Sequence, residues 1–316
     1  MHYNPALDGL RAVAVFTVVA FHCRFPFALG GMIGVDVFFV LSGYLITTIL
    51  RSGIGLPEFY WRRATRLYPP LLLMLAAYAA FAPLVFPTVN PVFDVLLAGL
   101  YLSDYTMAFW YQPLSIGHTW SLAVEEHFYL VWPLVILATR RLPVRPLMWL
   151  LAVGFVVATT WRIVDAHVWQ DWHRTYFRFD TRMSGLILGA LIAVMPWRLQ
   201  GERVLLIGRI SIYMLLVALL FFRFRNIWFI GWGGIAVDLA AAGLALSLVS
   251  GETAISRFLS REGPRYLACC PIRYISGTTP LPWRSGTNWI PSPHQSWWVG
   301  WRHSSPRSRT GTSRSL

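Results

Sequence analysis

Two apolar stretches near the N-terminus carry side chains that hydrocarbon tolerates poorly. The first holds Arg11 and His22, and the second opens Gly30-Gly31-Met32-Ile33-Gly34-Val35-Asp36-Val37-Phe38-Phe39-Val40-Leu41-Ser42-Gly43-Tyr44. Ionisable groups inside a bilayer are costly and mark functional sites by default. An imidazole kept neutral by burial accepts a proton as a general base near neutral pH. A His that only packs between helices is the plainer alternative. At ~1.5 Å per residue, Arg11 and His22 lie about 16 Å and about three turns apart, so both face nearly the same side of one helix. Arg11 is expected near the cytoplasmic surface and His22 slightly past mid-membrane, the two lining one tunnel. Further on, Arg63 and Arg66 stand three apart with Arg62 beside them, a spacing that presents two guanidiniums to phosphate groups. Plain topology would also put arginines there.

Glu125 and Glu126 sit in the outer part of a later apolar segment, where adjacent carboxylates need partners. Successive helix positions diverge by ~100°, so at most one faces a shared cavity. Arg178, Asp180 and Arg182, at the outer end of another segment, are the expected partners, either in a site or in an ion network that locks helices. Asp36 follows a glycine-rich turn; an N-cap accounts for it, and its outer position also suits orienting His22 or binding hydroxyls. Ser42 and Gly43 read as small residues that let helices approach.

The elements that must hold these groups are membrane helices. The chain is 56% hydrophobic and 13% charged, with mean hydropathy +0.52, which excludes an ordinary soluble globule. Apolar runs of near-spanning length recur to about residue 250, so the expected fold is an all-α, polytopic transmembrane bundle. The 16 Trp and 13 Tyr suit interfacial belts. Spans are expected near 10–28, 35–50, 68–87, 120–138, 146–164, 181–197, 204–222 and 227–249, eight in all. Arg51, Arg62, Arg63 and Arg66 place the loop after the second span, and with it the N-terminus, in the cytoplasm. Arg140, Arg141 and Arg145, then Arg198 and Arg203, then Arg257, Arg261 and Arg265 mark further inner loops. A full span over 92–112 would invert every later loop. Its Ser103-Asp104-Tyr105 core between Pro91 and Pro113 predicts an interrupted, re-entrant segment on the outer side instead.

All 27 basic residues are Arg. Seven lie in 265–316, where there is no Asp or Glu, and the rest of the chain carries +6. That is an ordinary positive-inside excess and calls for no nucleic acid. Cys23, Cys269 and Cys270 form no CxxC or Cys/His pattern, so neither metal nor disulfide framework is expected.

Five motifs occur in order: Arg11-x10-His22, the Gly30–Tyr44 stretch, Arg63-Ala64-Thr65-Arg66, Trp120-Ser121-Leu122-Ala123-Val124-Glu125-Glu126-His127-Phe128-Tyr129, and Arg178-Phe179-Asp180-Thr181-Arg182. Together they resemble the integral-membrane acyltransferase-3 superfamily, whose members O-acylate cell-surface and secreted carbohydrates. The resemblance covers roughly residues 3 to 265. It implies an acyl group, most simply acetyl, moved from acyl-CoA on the cytoplasmic side to a glycan hydroxyl, with membrane lipid around the bundle and no permanently bound cofactor. His22, Arg11, Asp36 and Glu126 are then the catalytic candidates. Arg63 and Arg66 would hold CoA. Trp120, Glu125, Tyr129, Arg178, Asp180 and Arg182 would meet the acceptor, in an outer cavity ringed by Trp110, Tyr111, Trp120, Trp169 and Trp172. His127 stands where relatives commonly have Gln. Such transfer needs a base for the hydroxyl, a donor or cation for the oxyanion, and a phosphate site.

Two other readings compete. A transporter would use Arg11, His22 and Glu126 as a proton relay, but no internal repeat with paired broken helices is evident. An inactive remnant is the other. The boundary falls at 264, with 1–264 the transmembrane domain and 265–316 an atypical basic tail. That tail reads as a disordered cytoplasmic extension or as an out-of-frame translation. Arg273-Tyr274-Ile275-Ser276-Gly277-Thr278-Thr279-Pro280 can be encoded CGC TAC ATC TCT GGC ACT ACC CCC. Shifted by two bases, that string gives Leu-His-Leu-Trp-His-Tyr-Pro, a motif relatives carry in a later span.

Overall fold

Asn4 starts the bundle. Its side chain accepts the Ala6 amide at 3.0 Å, and Pro5 fills the first helical position, where a missing N–H costs nothing. In this computed structural model, which describes residues 4–85, 89–198, 200–223 and 225–261, α1 runs Pro5–His22. The chain leaves that helix through Arg24 at φ 58° and re-enters α2, Ile33–Arg51. Then follow α3 (Leu56–Val85), α4 (Pro91–Gly99), α5 (Ser103–Trp110), α6 (Thr119–Thr139), α7 (Val144–Trp169), α8 (Trp172–Phe177), α9 (Phe179–Val194) and α10 (Glu202–Phe221). A five-residue π-helical turn, Phe229–Gly233, leads into α11 (Gly234–Ser250) and a short α12 (Ala254–Leu259). No strand occurs among the described residues.

Seven of these helices are long and apolar enough to cross a membrane: α1, α2, α3, α6, α7, α10 and the Phe229–Ser250 helix. The eighth expected span is α9, with 16 residues. It rises about 24 Å, less than the ~30 Å hydrocarbon thickness. Boundaries shift elsewhere too. The first helix ends at His22 rather than 28, and α3 begins at Leu56, so Arg62, Arg63 and Arg66 stand on a helix ahead of its internal Pro69 and Pro70. The expectation for the tail beyond residue 264 lies outside the described residues.

The 92–112 segment is interrupted, as its prolines and Ser-Asp core predict. α4 leads down to Tyr101, at φ 56°, whose ring meets Tyr68 of α3 at 5.9 Å. α5 then returns to Tyr111, whose ring sits 4.5 Å from that of His173. The hairpin is pinned on the way down by Tyr78, whose hydroxyl donates to the buried Asp94 at 2.5 Å. Irregular backbone of this kind survives at depth only inside protein.

α2 is the hub, packed by α1, α6, α9 and α11. Its crossing with α9 is backbone on backbone: a Cβ on Gly43 would lie 1.9 Å from the Leu186 carbonyl oxygen, and one on Gly189 would lie 1.9 Å from that of Val40. Small residues at such crossings let dispersion replace the hydrophobic drive that lipid removes. Outward-facing apolar side chains such as Phe16, Leu73, Val153 and Leu216 stay exposed, as a lipid-facing belt requires.

Candidate active site

α1 and α6 run in opposite directions and present matching stripes. Arg11 and His22 are eleven residues apart on α1; His118, at the start of α6, and Tyr129 are also eleven apart. At the deep level, Arg11 lies within electrostatic reach of Glu125, Tyr129 and Arg66. Glu125 accepts a hydrogen bond from the Ser42 hydroxyl at 2.6 Å. The Arg63 guanidinium carbon lies 3.4 Å over the Tyr129 ring, with its Nε 3.9 Å from Glu126 Oε1. Arg66 is exposed on the same face of α3. The Nε atoms of both Arg11 and Arg63 are buried with no hydrogen-bond partner among the described residues. Six residues foreseen as site members, Arg11, Arg63, Arg66, Glu125, Glu126 and Tyr129, thus converge.

At the other level is His22. It was expected in the middle of a buried span, and the structure instead places it at the exposed last position of α1, because the helix stops there and the chain turns. Its Nδ1 lies 2.8 Å from the Val18 carbonyl oxygen, which can only accept, so Nδ1 carries the proton and Nε2 keeps its lone pair. Across from it, His118 has a buried Nε2 with no partner among the described residues. Burial pushes the His118 imidazole down to about 4, a shift to which His22 adds when it is protonated.

The remaining predicted residues separate from this pair of levels. Asp36 is no N-cap: Met32 holds that position, and Asp36 sits in the first turn of α2, where it accepts from Arg182 Nη2 at 2.6 Å. The expected pairing of Arg178 and Arg182 with the two glutamates does not form. The α2–α9 crossing delivers Arg182 to Asp36, while Arg178 bonds Asp165 at 2.9 Å and also holds Asp180. Asp180 further accepts from the Trp161 indole at 2.7 Å. Trp120 is buried and wedged against Phe39, Tyr176 and Phe177, with ring centroids 6.1, 5.0 and 5.2 Å away, so it packs the core rather than meeting a sugar. Trp110, Tyr111 and Trp169 are exposed near the His22 end. Ser42, expected only to permit close packing, is instead a donor to Glu125.

Three features escaped the sequence reading. Arg162 and Asp238 pair at 3.1 Å with side chains 1% and 2% exposed, and the Ser184 hydroxyl donates to the same carboxylate at 2.8 Å. Asp104, fully buried, holds His127 Nδ1 at 3.0 Å. Asp165 gathers Arg174, Thr175 and Arg178. Each is a charge inside an apolar run, the same signal that singled out Arg11.

A bundle of this kind, with arginines and carboxylates converging in its interior, is that of an integral-membrane protein with a buried polar site. The chain belongs to the acyltransferase-3 family: the family's acyltransferase domain matches residues 4–279. It is 34% identical over 209 residues to the peptidoglycan O-acetyltransferase OatA of Listeria monocytogenes, an alignment covering 60% of this chain and 34% of that protein. It is 36% identical over 220 residues to the O-acetyltransferase OatA of Staphylococcus aureus strain NCTC 8325, covering 63% of this chain and 36% of that protein. The chain thus spans about a third of the length of these curated relatives. No solved structure matches it.

Proposed function

We propose that this protein is an inner-membrane O-acyltransferase that takes acetyl from acetyl-CoA at the cytoplasmic face and places it on a carbohydrate hydroxyl at the opposite face. The observation that carries the reading is the alignment of two levels along one helix. Buried, unsatisfied guanidinium nitrogens of Arg11 and Arg63 lie at one, and the proton-accepting Nε2 of His22 lies about 16 Å away at the other. Arg66 and Arg63 would take the CoA phosphates, Arg66 from its exposed position and Arg63 by its fork. The thioester would reach toward His22, which takes the proton of the attacking hydroxyl. Glu125, Glu126 and Ser42 would hold the arginines in place. Exposed Trp110, Tyr111 and Trp169, at the same end of the bundle as His22, offer flat apolar faces to a sugar ring. The cytoplasmic assignment of the Arg66 end rests on the arginines of the loops there. The O-acetyltransferase names of the relatives favour acetyl and a polymeric glycan acceptor.

The test is transfer of labelled acetyl from acetyl-CoA to glycan in membrane vesicles. His22→Ala is expected to lower the rate by ~10²–10⁴-fold without loss of the protein from the membrane. Near-normal transfer by His22→Ala would remove His22 as the base.

A further inference from the structure

We propose that His118 is a second catalytic residue, facing His22 across the gap between α1 and α6 and donating an Nε2–H hydrogen bond to the oxyanion that forms on the acyl carbonyl. The inference deepens the acyl-transfer reading above and rests on it.

Three observations carry it. His118 Nε2 is buried and finds no partner among the described residues, and a buried polar nitrogen without a partner is a cost that folds rarely leave unmet. The register of the two helices brings His118 to His22: Arg11 is within electrostatic reach of Tyr129, and the same eleven-residue step on each antiparallel helix leads to the two histidines. The two histidines also differ in environment. His22 is exposed with its Nδ1 proton committed to Val18, which leaves Nε2 to accept. His118 is desolvated and held neutral, its imidazole pushed down to about 4, so at pH 7 it carries one N–H rather than two. One ring is therefore open to accept, and the other, with its single proton on Nε2, is the donor.

The step balances. The acceptor hydroxyl oxygen bonds to the thioester carbonyl carbon as its proton passes to His22 Nε2. The carbonyl π pair moves to oxygen, and that oxyanion takes the His118 hydrogen bond. Collapse breaks the carbon–sulfur bond, and the departing thiolate recovers the proton from His22, releasing free thiol and ester. A preorganised donor aimed at developing charge in a water-poor site is worth far more than one in bulk water.

The experiment uses the full chain in membrane vesicles with acetyl-CoA. His118→Ala is expected to lower kcat by ~10²–10³-fold with the KM for acetyl-CoA unchanged. His118→Gln, which keeps an N–H donor, is expected to recover at least about tenfold of that loss, and its rate should keep the wild-type dependence on pH below 7, because His118 is already neutral there. A His118→Ala enzyme within about threefold of wild-type kcat, or one altered only in KM, overturns the proposal. A second measurement does not depend on turnover. With Cys23, Cys269 and Cys270 replaced by Ser, the pair His22→Cys and His118→Cys is expected to be joined by a short bismaleimide, and failure to join while each thiol labels singly overturns the facing arrangement. Activity that dies in His22→Ala and survives in His118→Ala refutes the role of His118 alone. No transfer by the unaltered chain, with the crosslink formed, refutes the acyl-CoA reading and the oxyanion role with it.

Discussion

Arg63 shows why the identity of one side chain matters more than its charge. Its guanidinium carbon lies over the Tyr129 ring at 3.4 Å while its Nε is 3.9 Å from Glu126, an arrangement that suits a delocalised cation. A lysine ammonium is a point charge and cannot stack and fork together. Arg63→Lys is expected to weaken acyl-CoA binding by roughly tenfold, about 1–2 kcal/mol, with a matching loss of transfer, measured as Kd on purified protein in detergent. Unchanged affinity in Arg63→Lys and in an Arg63→Ala/Arg66→Ala double variant would leave these arginines with a topological role only. Ser42 and Glu125 make a complementary case. The serine is the hydroxyl donor to that carboxylate at 2.6 Å, so Ser42→Ala should leave Glu125 short of a partner and lower kcat, whereas Ser42→Thr, which keeps the hydroxyl, should be milder.

The helices that carry these groups are locked by two devices. The first is the α2–α9 crossing, where Gly43 and Gly189 admit the opposing backbone so closely that a methyl group has no room. Gly43→Ala is expected to force the helices apart at a cost of about 1–3 kcal/mol or more, read as a lower melting temperature in detergent. Since that crossing also presents Arg182 to Asp36, the same change should open that ion pair. The second device is the Arg162–Asp238–Ser184 cluster joining α7, α11 and α9. Asp238→Asn strips the countercharge from a buried guanidinium and is expected to cost about 3–5 kcal/mol, while a paired Arg162→Met/Asp238→Leu chain should recover much of it. A double variant no more stable than Asp238→Asn alone would show that the pair holds the fold by more than mutual neutralisation.

Taken together, the helices gather most of their loop arginines at one end, with Arg24 and Arg225 among the exceptions. Arg51, Arg62, Arg140, Arg141 and Arg203 flank the ends of α2, α3, α6, α7 and α10 that lie with the N-terminus of α1, and the His22 end is opposite. That sorting requires the α4–α5 hairpin to enter and leave on the same side. It also predicts a topology that can be measured. Cys23 is a free, exposed thiol beside His22. In a chain with Cys269→Ser and Cys270→Ser, Cys23 is expected to react with a membrane-impermeant maleimide added to spheroplasts. Labelling only after the membrane is permeabilised would invert the assigned orientation.

Several of these facts were legible in the linear chain. Apolar runs of spanning length, arginines clustered in loops and prolines flanking 92–112 specify a helical membrane bundle with an interrupted segment, because each reflects a local cost that the bilayer imposes whatever the neighbours are. The candidates Arg11, Glu125 and Glu126 stood out for the same reason: a charge in hydrocarbon is expensive wherever it faces; Arg63 stood out by its three-residue spacing from Arg66. Which charge meets which was not legible. Glu126 takes Arg63 rather than Arg182, Asp36 takes Arg182 rather than capping its helix, and Trp120 turns inward to Tyr176 and Phe177. Those pairings depend on the rotation and crossing of helices far apart in the chain, set by contacts such as Gly43 on Leu186. The exposure of His22 and the buried, unpaired nitrogen of His118 are of the same kind, since helix ends and registers are decided by packing between elements and not by the composition of either one.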